Sequence, residues 1–143
     1  MNKGPDSSYN NQQMKINSRA DVVDVRQKVR KICEQKQFSL SETTRVVTAT
    51  SELARNIVEF SEEGTISWKI LEDDGDGIEL VFEDEGPGID DVEWAMQDGN
   101  STGNGLGKGL PGAEKLMDEM QIKTGPEKGT EITVRKWPNH QHS

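Results

Sequence analysis

Residues 65–83 read TISWKILEDDGDGIELVFE, and this stretch decides the fold. Two runs in it, Thr65–Leu71 and Ile78–Glu83, are rich in the β-branched, aromatic and other apolar residues that favour strands. Between them lies Asp73-Asp74-Gly75-Asp76-Gly77, a composition that is typical of a tight turn. Strands joined by so short a connection pair antiparallel. The stretch therefore predicts a β-hairpin.

Two helices are predicted on the N-terminal side of this hairpin. Ser18 precedes a segment with apolar residues at the helical period, and Ser39-Leu40-Ser41-Glu42 has the form of a capping box. The second helix is predicted to continue to about Phe60. The apolar positions are Val22, Val25, Val29, Ile32 and Cys33 in the first helix, and Val46, Ala49, Leu53, Ile57 and Phe60 in the second.

The remaining segments complete the predicted architecture. They are a short strand at 14–17, a helical stretch around 92–96, a helix at 110–120, a closing segment at 121–124 and a strand at 130–136. Helices come first and most strands follow, which predicts an α/β (α+β) two-layer sandwich with a largely antiparallel sheet covered by helices on one face. The polar ends, 1–13 and 138–143, are predicted to be flexible tails around one domain at 14–137.

Composition narrows the function classes. The chain has 143 residues, enough for one domain, and a net charge of −9, which disfavours nucleic acid and anionic membranes as partners. Its single cysteine, Cys33, excludes an internal disulfide and is predicted to be a buried structural thiol. No apolar run has the pattern of a signal peptide or the length of a membrane span, so a cytoplasmic protein is expected.

Three familiar motifs are matched only in part. Gly107–Gly112 has the glycine spacing of a dinucleotide fingerprint, but no strand directly precedes it. A P-loop would need glycine at Thr102, and Ser or Thr at Gly109. The acidic turn approaches a calcium loop, but it begins with Glu72 and has strand-like flanks. A solvated hairpin turn is the better interpretation of that segment.

Glu52 and Asn56 form the first candidate for chemistry, in the segment Ser51-Glu-Leu-Ala-Arg-Asn56. A spacing of four places both side chains on one helix face. A carboxylate beside an amide oxygen suits a general base next to a magnesium ligand, because Mg²⁺ prefers hard oxygen donors. The same pair also fits a plain solvated polar face.

Two further segments have the composition of a nucleotide site. Asp84 precedes Gly86 and Gly88, so its carboxylate can accept a hydrogen bond from an adenine amine while bare backbone passes close to the ring. An acid at a strand end is also a common turn former. The glycine-rich run 99–112 has exposed amides and precedes a helix, which predicts a phosphate site. Lys108 adds a positive charge there or is simply solvated.

Together these segments resemble the GHKL (Bergerat-fold) family of ATPases and kinases. Its Asn-bearing helix, Asp-x-Gly-x-Gly element, glycine-rich lid and terminal Gly-Thr match Glu52–Asn56, Asp84–Gly88, Gly103–Gly109 and Gly129–Thr130. The resemblance covers nearly all of 14–137. Within the family, Ser51–Asn56 and Gly105–Glu119 are most similar to the switch serine/threonine kinases of the stressosome.

The resemblance implies ATP and Mg²⁺ as cofactors. It implies that Glu52 is the catalytic base for an acceptor hydroxyl, that Asn56 holds Mg²⁺, and that Thr130 supports the adenine contact of Asp84. The cofactor-binding residues that it implies are Asn56, Asp84, Gly86, Gly88, Gly103, Gly105, Leu106, Gly107, Lys108, Gly109 and Thr130.

The function that this resemblance implies is a protein serine/threonine kinase of a partner-switching system, which phosphorylates a STAS-domain protein to regulate a stress or sigma-factor pathway. A PP2C-type phosphatase and a sigma factor are further partners in such systems. One alternative is an anti-sigma factor that sequesters a sigma factor, although the sequence at 110–119 speaks against it. Another is the ATPase domain of a histidine kinase, but the histidines, His140 and His142, lie in the C-terminal tail. A silent binder that docks a phosphatase would not need Glu52 and Asn56.

Overall fold

The computed structural model describes residues 12–61, 63–85, 110–125 and 129–138. Its elements, in chain order, are β1 (Gln13–Ile16), α1 (Arg19–Glu34), α2 (Leu40–Phe60), β2 (Gly64–Leu71), β3 (Gly77–Asp84), α3 (Leu110–Leu116), β4 (Glu119–Gly125) and β5 (Gly129–Lys136). Within these ranges none of the helices is both long and apolar enough to span a membrane.

Both long helices begin at the predicted caps. The Ser18 hydroxyl accepts from the Asp21 backbone N–H at 3.2 Å, and the Asp21 carboxylate accepts from the Ser18 N–H at 3.1 Å. Ser39 and Glu42 form the same reciprocal pair, at 3.0 and 2.8 Å. Each pair satisfies backbone donors that have no partner inside the helix. The predicted starts of both helices are thus confirmed.

The five strands form one sheet in the order β1-β2-β3-β5-β4, and every neighbouring pair is antiparallel. The predicted hairpin is the β2–β3 pair, with Leu71 opposite Gly77. Strand residues that face the helices alternate with residues that face away, as the pleat requires. The α+β class with an antiparallel sheet is confirmed.

The core lies between this sheet and the helices. Val25, Val29, Val46 and Ala49 of the helices are fully buried against strand residues such as Leu80. Ile32, which was predicted to belong to the core, is only half-buried at its margin. Cys33 is buried, and burial, followed by the neighbouring Glu34 charge, raises the pKa of its thiol to about 12. The prediction of an inert structural thiol agrees with this environment.

The helix predicted at 110–120 is too long. It ends at Leu116, and β4 already begins at Glu119. The Asp118 backbone N–H donates to the Arg135 carbonyl at 2.9 Å, so the chain has begun to pair with β5 at this point. Pairing with β5 satisfies the backbone in place of another helical turn. Because it joins residues far apart in the sequence, no local pattern predicts it.

Candidate functional site

Three strands bring predicted site residues together at one end of the sheet. In the register, Gly64 of β2 lies opposite Asp84 of β3, and Asp84 lies opposite Thr130 of β5. Residues opposite each other on neighbouring strands have Cβ atoms about 4.5–5.5 Å apart. Asp84 and Thr130, which are 46 positions apart in the sequence, are therefore direct neighbours. We call this the site end of the sheet.

Gly129 allows β5 to approach Asp84 this closely. Its φ is +72°, and a Cβ at this position would collide with the backbone carbonyl of Asp84. Both features restrict the position to glycine, because side-chain-bearing residues avoid that φ and the clashing atom belongs to the backbone. The Gly-Thr pair thus combines an obligatory glycine with a hydroxyl that is placed beside Asp84.

The Thr130 side chain is 5% exposed, and its hydroxyl is oriented by Thr124 of β4. The Thr124 hydroxyl donates to the Gly129 carbonyl at 3.1 Å and lies 3.1 Å from the Thr130 hydroxyl. A hydroxyl has a single proton to donate, so Thr130 is the donor in the second bond. The Thr130 oxygen therefore retains acceptor capacity next to the Asp84 carboxylate, which suits a ligand amine or a bridging water.

Helix α2 reaches the site end through a close contact with Gly64. A Cβ on Gly64 would lie 2.7 Å from the Ile57 side chain and 2.6 Å from the Glu83 carbonyl, so only glycine allows this approach. Asn56 precedes Ile57 directly, and Glu52 lies about 6 Å further along the helix axis. Both side chains are partly exposed, whereas Leu53 and Ile57 are buried. The helix thus presents Glu52 and Asn56 at the margin of its buried face.

Arg55 is a neighbour of Glu52 that has no predicted role. Its guanidinium Nη1 lies 3.9 Å from the Glu52 carboxylate, and Nη2 donates to the Ser51 hydroxyl at 3.2 Å. The spacings of three and four residues were visible in the sequence and are the signal for such contacts. The ion pair is long and half-exposed, so it contributes little to stability. The Arg55 guanidinium nevertheless places a positive charge beside the Glu52 carboxylate.

A cleft of 820 Å³ opens at the site end. It is bordered by Asp84, Thr130 and Thr124, and also by residues of the helix-free face, among them Lys15, Thr65, Glu83, Lys123 and Glu131. Glu52 and Asn56 are not among its lining residues. The cleft therefore includes the predicted adenine contacts, Asp84 and Thr130, but not the helix residues of the predicted site.

Two carboxylates face each other within this cleft. Glu83 lies opposite Glu131 in the register. Burial, followed by the charge of Glu131 and a hydrogen bond to it, raises the pKa of Glu83 above its usual value. In the same row, Lys15 lies opposite Thr65 and Lys123 lies opposite Glu131. The outer face of the site end is thus locally acidic, with a lysine on each flanking strand.

The other predicted site residues lie outside the described part of the chain. They are Gly86, Gly88, Gly103, Gly105, Leu106, Gly107, Lys108 and Gly109. The helical stretch around 92–96 and the glycine-rich run 99–109 lie outside it as well. Their roles stay predictions.

The donor set at Glu52 and Asn56 is compatible with Mg²⁺. Within the described ranges, no three His, Cys, Asp or Glu side chains are grouped as a metal site. Mg²⁺ does not need such a group, because it usually keeps several waters and takes further ligands from substrate phosphates. The Asn56 amide oxygen can be such a protein ligand, and the Glu52 carboxylate lies beside it on the same helix face.

Known proteins share this architecture. A protein that comprises the RsbU and RsbW domains of a Mycobacterium tuberculosis chain superposes with a TM-score of 0.61 at 21% identity, over 87% of this chain and 32% of that one. In sequence, the chain is 41% identical to the serine/threonine-protein kinase RsbT of Bacillus subtilis over 125 residues, which are 87% of this chain and 94% of the relative. It is 31% identical to the anti-sigma F factor of Priestia megaterium, over 68% of this chain and 71% of that protein.

A family model matches most of the chain. The model of the histidine kinase-like ATPase domain matches residues 17–136, and this span includes Glu52, Asn56, Asp84 and Thr130. It covers far more than half of the chain. The chain therefore belongs to the histidine kinase-like ATPase domain family.

Proposed function

We propose that the chain is an ATP-dependent protein serine/threonine kinase of a partner-switching system, and that it phosphorylates a Ser or Thr of a STAS-domain protein. The observation that carries the proposal is the convergence of α2 and Asp84 at one end of the sheet, where Gly64 contacts Ile57 and pairs with Asp84. Identity of 41% to a serine/threonine-protein kinase over most of both chains supports it.

Asp84 and Thr130 are proposed to hold the adenine. The exocyclic amine donates to the Asp84 carboxylate, and Thr130 supplies a neighbouring acceptor, directly or through water. Recognition by the buried Thr130 hydroxyl and the partly exposed Asp84 carboxylate favours adenine over guanine, because guanine has a carbonyl oxygen at the corresponding position. An acceptor left without a donor in a buried site costs about 1–3 kcal/mol, and the partly exposed carboxylate is expected at the lower end of that range.

Glu52 is proposed to take the proton of the acceptor hydroxyl. As that proton leaves, the hydroxyl oxygen bonds to the terminal phosphorus, the bond from this phosphorus to the bridging oxygen breaks, and ADP departs with the electron pair. Positioning and charge neutralisation provide most of the acceleration in such transfers. Arg55 places a positive charge 3.9 Å from the Glu52 carboxylate, at the position where phosphate charge must be neutralised.

Asn56 is proposed to help neutralise the negative charge of the phosphates. Bound Mg²⁺, held by Asn56, would neutralise phosphate charge in a chain whose net charge is −9. By the family resemblance, the segment 103–109 is proposed to cover the triphosphate. The proposal places the protein in the cytoplasm, where ATP and Mg²⁺ are available, and includes a PP2C-type phosphatase or a sigma factor among further partners.

A second candidate is an anti-sigma factor, which has binding as its main role. Identity of 31% to an anti-sigma F factor over 68% of the chain supports this second candidate. The two functions share the nucleotide site. They differ in whether the partner receives phosphate or is held without it.

The test is phosphotransfer to purified STAS-domain proteins encoded beside this chain. The parent and Glu52→Gln are mixed with Mg-ATP and each acceptor, and phosphorylated residues are mapped by mass spectrometry. Glutamine keeps the size and hydrogen bonding of Glu52 but cannot take the proton. General bases contribute about 10²–10⁴-fold, so transfer should fall by that factor while ATP affinity is retained.

Glu72→Gln is the matched control, because it removes the same charge in the hairpin turn at the opposite end of the sheet. It should transfer phosphate as the parent does. Transfer by Glu52→Gln within a few-fold of the parent would remove Glu52 as the base. A parent that labels no STAS protein but binds a sigma factor tightly would favour the anti-sigma function.

A further inference from the structure

A row of polar side chains crosses the sheet at the site end. Asp84 of β3 lies opposite Thr130 of β5, and Thr130 lies opposite Thr124 of β4. Residues directly opposite each other on paired strands project from the same face of a sheet. Strand β4 is an edge strand, so Thr124 is the last residue of the row on that side.

The two hydroxyl groups of this row form a chain of hydrogen bonds with a defined direction. The Thr124 hydroxyl donates to the Gly129 carbonyl at 3.1 Å, and its oxygen lies 3.1 Å from the Thr130 oxygen. Since each hydroxyl has one proton, Thr130 donates to Thr124 and Thr124 donates to the backbone. The proton of Thr130 is thus directed along the row, away from Asp84.

Burial makes this direction important. Thr130 is 5% exposed, so water cannot readily replace a lost hydrogen-bond partner. Its neighbours in the row are Thr124 on one side and Asp84 on the other. Without the Thr124 hydroxyl, the Thr130 proton would turn to the Asp84 carboxylate or into the cleft that both residues border. The Thr124 hydroxyl therefore keeps the Thr130 oxygen an acceptor on the side of Asp84.

The direction of this proton affects which purine base fits beside Asp84. Adenine has an amine donor at its 6-position, whereas a 6-oxo purine has a carbonyl acceptor there. When Thr130 donates to Thr124, the oxygens of Thr130 and Asp84 both accept, which suits the amine and disfavours the carbonyl. A Thr130 proton that turned to Asp84 would compete with the amine, and one that turned into the cleft would pair with the carbonyl. Either change reduces the preference for adenine.

We propose that Thr124 is the positioning residue that makes the nucleotide site selective for a 6-amino purine, because its hydroxyl accepts the Thr130 proton and so directs it away from the ligand. This inference rests on the proposed function, in which Asp84 and Thr130 hold the adenine. Thr124 acts through Thr130 and needs no contact of its own with the nucleotide.

The experiment measures the affinities of the parent, Thr124→Val and Thr124→Ser for Mg-ATP and Mg-ITP by calorimetry. ITP has a carbonyl where ATP has the 6-amine. Valine has nearly the shape of threonine but no hydroxyl. In Thr124→Val the affinity for ATP should fall by about three- to tenfold, and the preference for ATP over ITP should fall by about tenfold. Thr124→Ser, which keeps the hydroxyl, should restore that preference to within about threefold of the parent.

The preference is a ratio within one variant, so a loss of folded protein affects both affinities equally and cancels. Thr133→Val is the matched control, because Thr133 is a half-buried threonine of β5 that lies opposite Gln121, outside the row. It should keep the preference of the parent. Thermal unfolding without nucleotide measures the stability of each variant separately.

A double-mutant cycle tests whether Thr124 acts through Thr130. Thr130→Val should itself reduce the preference for ATP, because it removes the acceptor. Adding Thr124→Val to Thr130→Val should then change the preference by less than about twofold, since residues that act through one hydrogen bond are not additive. In phosphotransfer, Thr124→Val should raise the KM for ATP more than it lowers kcat.

An unchanged preference in Thr124→Val would overturn the proposal, as would fully additive effects in the cycle. A parent that binds ATP and ITP equally, or binds neither, would overturn it as well. If the preference depends on Thr124 but no STAS-domain protein is phosphorylated, the positioning role stands and the kinase function fails. If a STAS-domain protein is phosphorylated and Thr124→Val keeps the preference, the reverse holds.

Discussion

The two ends of the sheet are built in opposite ways. At the end away from the site, Arg135 contacts Glu79 at 2.8 Å and Glu119 at 3.0 Å, and Asp118 accepts from the Trp137 backbone N–H at 2.8 Å. At the site end, two carboxylates, Glu83 and Glu131, face each other instead. One end pairs opposite charges, whereas the centre of the other brings two like charges together between flanking lysines.

The glycines at the two ends also differ in the atoms that an added Cβ would contact. At the far end, a Cβ on Gly77 would meet the ring of Trp137, a side chain whose indole N–H donates to the Asp74 carbonyl. At the site end, Cβ atoms on Gly64 and Gly129 would meet backbone atoms of Glu83 and Asp84. The far end is stabilised by side-chain contacts, whereas the site end depends on backbone approaches that place a carboxylate and a hydroxyl together. Functional sites commonly depart from the most stable arrangement in this way.

The largest expected effect is that of Gly129→Ala. A side chain at a left-handed φ costs about 1–2 kcal/mol, and the clash with Asp84 requires a backbone shift in addition. We expect a loss of about 3 kcal/mol in the free energy of unfolding, together with weakened ATP binding. Urea denaturation and calorimetry measure the two quantities.

Two glycine controls sharpen this result. Gly77→Ala should cost less, about 1–2 kcal/mol, and leave ATP affinity unchanged, because the Trp137 ring and its hydrogen bond to Asp74 must shift while no backbone is displaced. Gly112→Ala should stabilise α3 by about 0.5–1 kcal/mol, because it is exposed and a Cβ there meets nothing within 4 Å. If Gly129→Ala were as mild as Gly77→Ala, the contrast between the two ends would be wrong.

Asp84→Asn is the next largest change, and its effect is on binding. An amide keeps the shape of the side chain but turns half of the acceptor into a donor, so the adenine amine loses its charged partner. The affinity for ATP should fall by about 1.5–3 kcal/mol, while stability without ligand changes little. Unchanged ATP affinity in calorimetry would remove Asp84 as the adenine contact.

Asp118→Ala tests the far end. The Asp118 carboxylate binds the Trp137 N–H and lies 3.4 Å from the Lys136 amine, whose side chain is only 5% exposed. Because Asp118 itself is 38% exposed, water can replace part of the interaction, and we expect a loss of about 1–2 kcal/mol in the free energy of unfolding. Asp118→Asn should lose less, because its amide oxygen still accepts from Trp137. ATP affinity should not change in either variant, and a change would show that the two ends are coupled.

The smallest effect is expected for Glu131→Gln, and it should be a gain. The folded-state pKa of Glu83 is raised, so ionisation of this carboxyl disfavours the folded state, and stability is lost as pH rises through that pKa. Removing the Glu131 charge relieves the repulsion of Glu83 but also removes the opposite charge beside Lys123, so the net gain at neutral pH should be well below about 1 kcal/mol. As pH falls below about 4 and carboxyls become protonated in both states, the gain should fade and then vanish.

A substitution at the far end is the control for the direction of this stability change. Glu119→Gln removes a partner of Arg135, so it should reduce stability at neutral pH by a few tenths of a kcal/mol, as expected for an exposed pair. Stability curves of both variants across pH measure the contrast. The same sign for both substitutions would show that overall charge, and not local pairing, governs the effect.

Much of the fold and part of the candidate site could be predicted. Capping at Ser18 and Ser39, the β2–β3 hairpin and the i,i+4 placement of Glu52 and Asn56 agree with the structure, because neighbours within a few residues decide them. The end of α3 was predicted wrongly, since pairing of Asp118 with Arg135 ended it. The sequence predicts no role for Arg55, because an arginine on a polar helix face is usually solvated.

The amino-acid sequence alone determined the helices, the hairpin and the types of residue that a nucleotide site needs, since periodicity, caps and turns are local properties of the chain. Only the tertiary structure decided that Asp84 lies opposite Thr130, that Gly64 admits Ile57 of α2, and that α1 starts at the same end. These contacts join residues far apart in sequence. Their register depends on which faces can be buried together, and that is a property of the whole packed sheet.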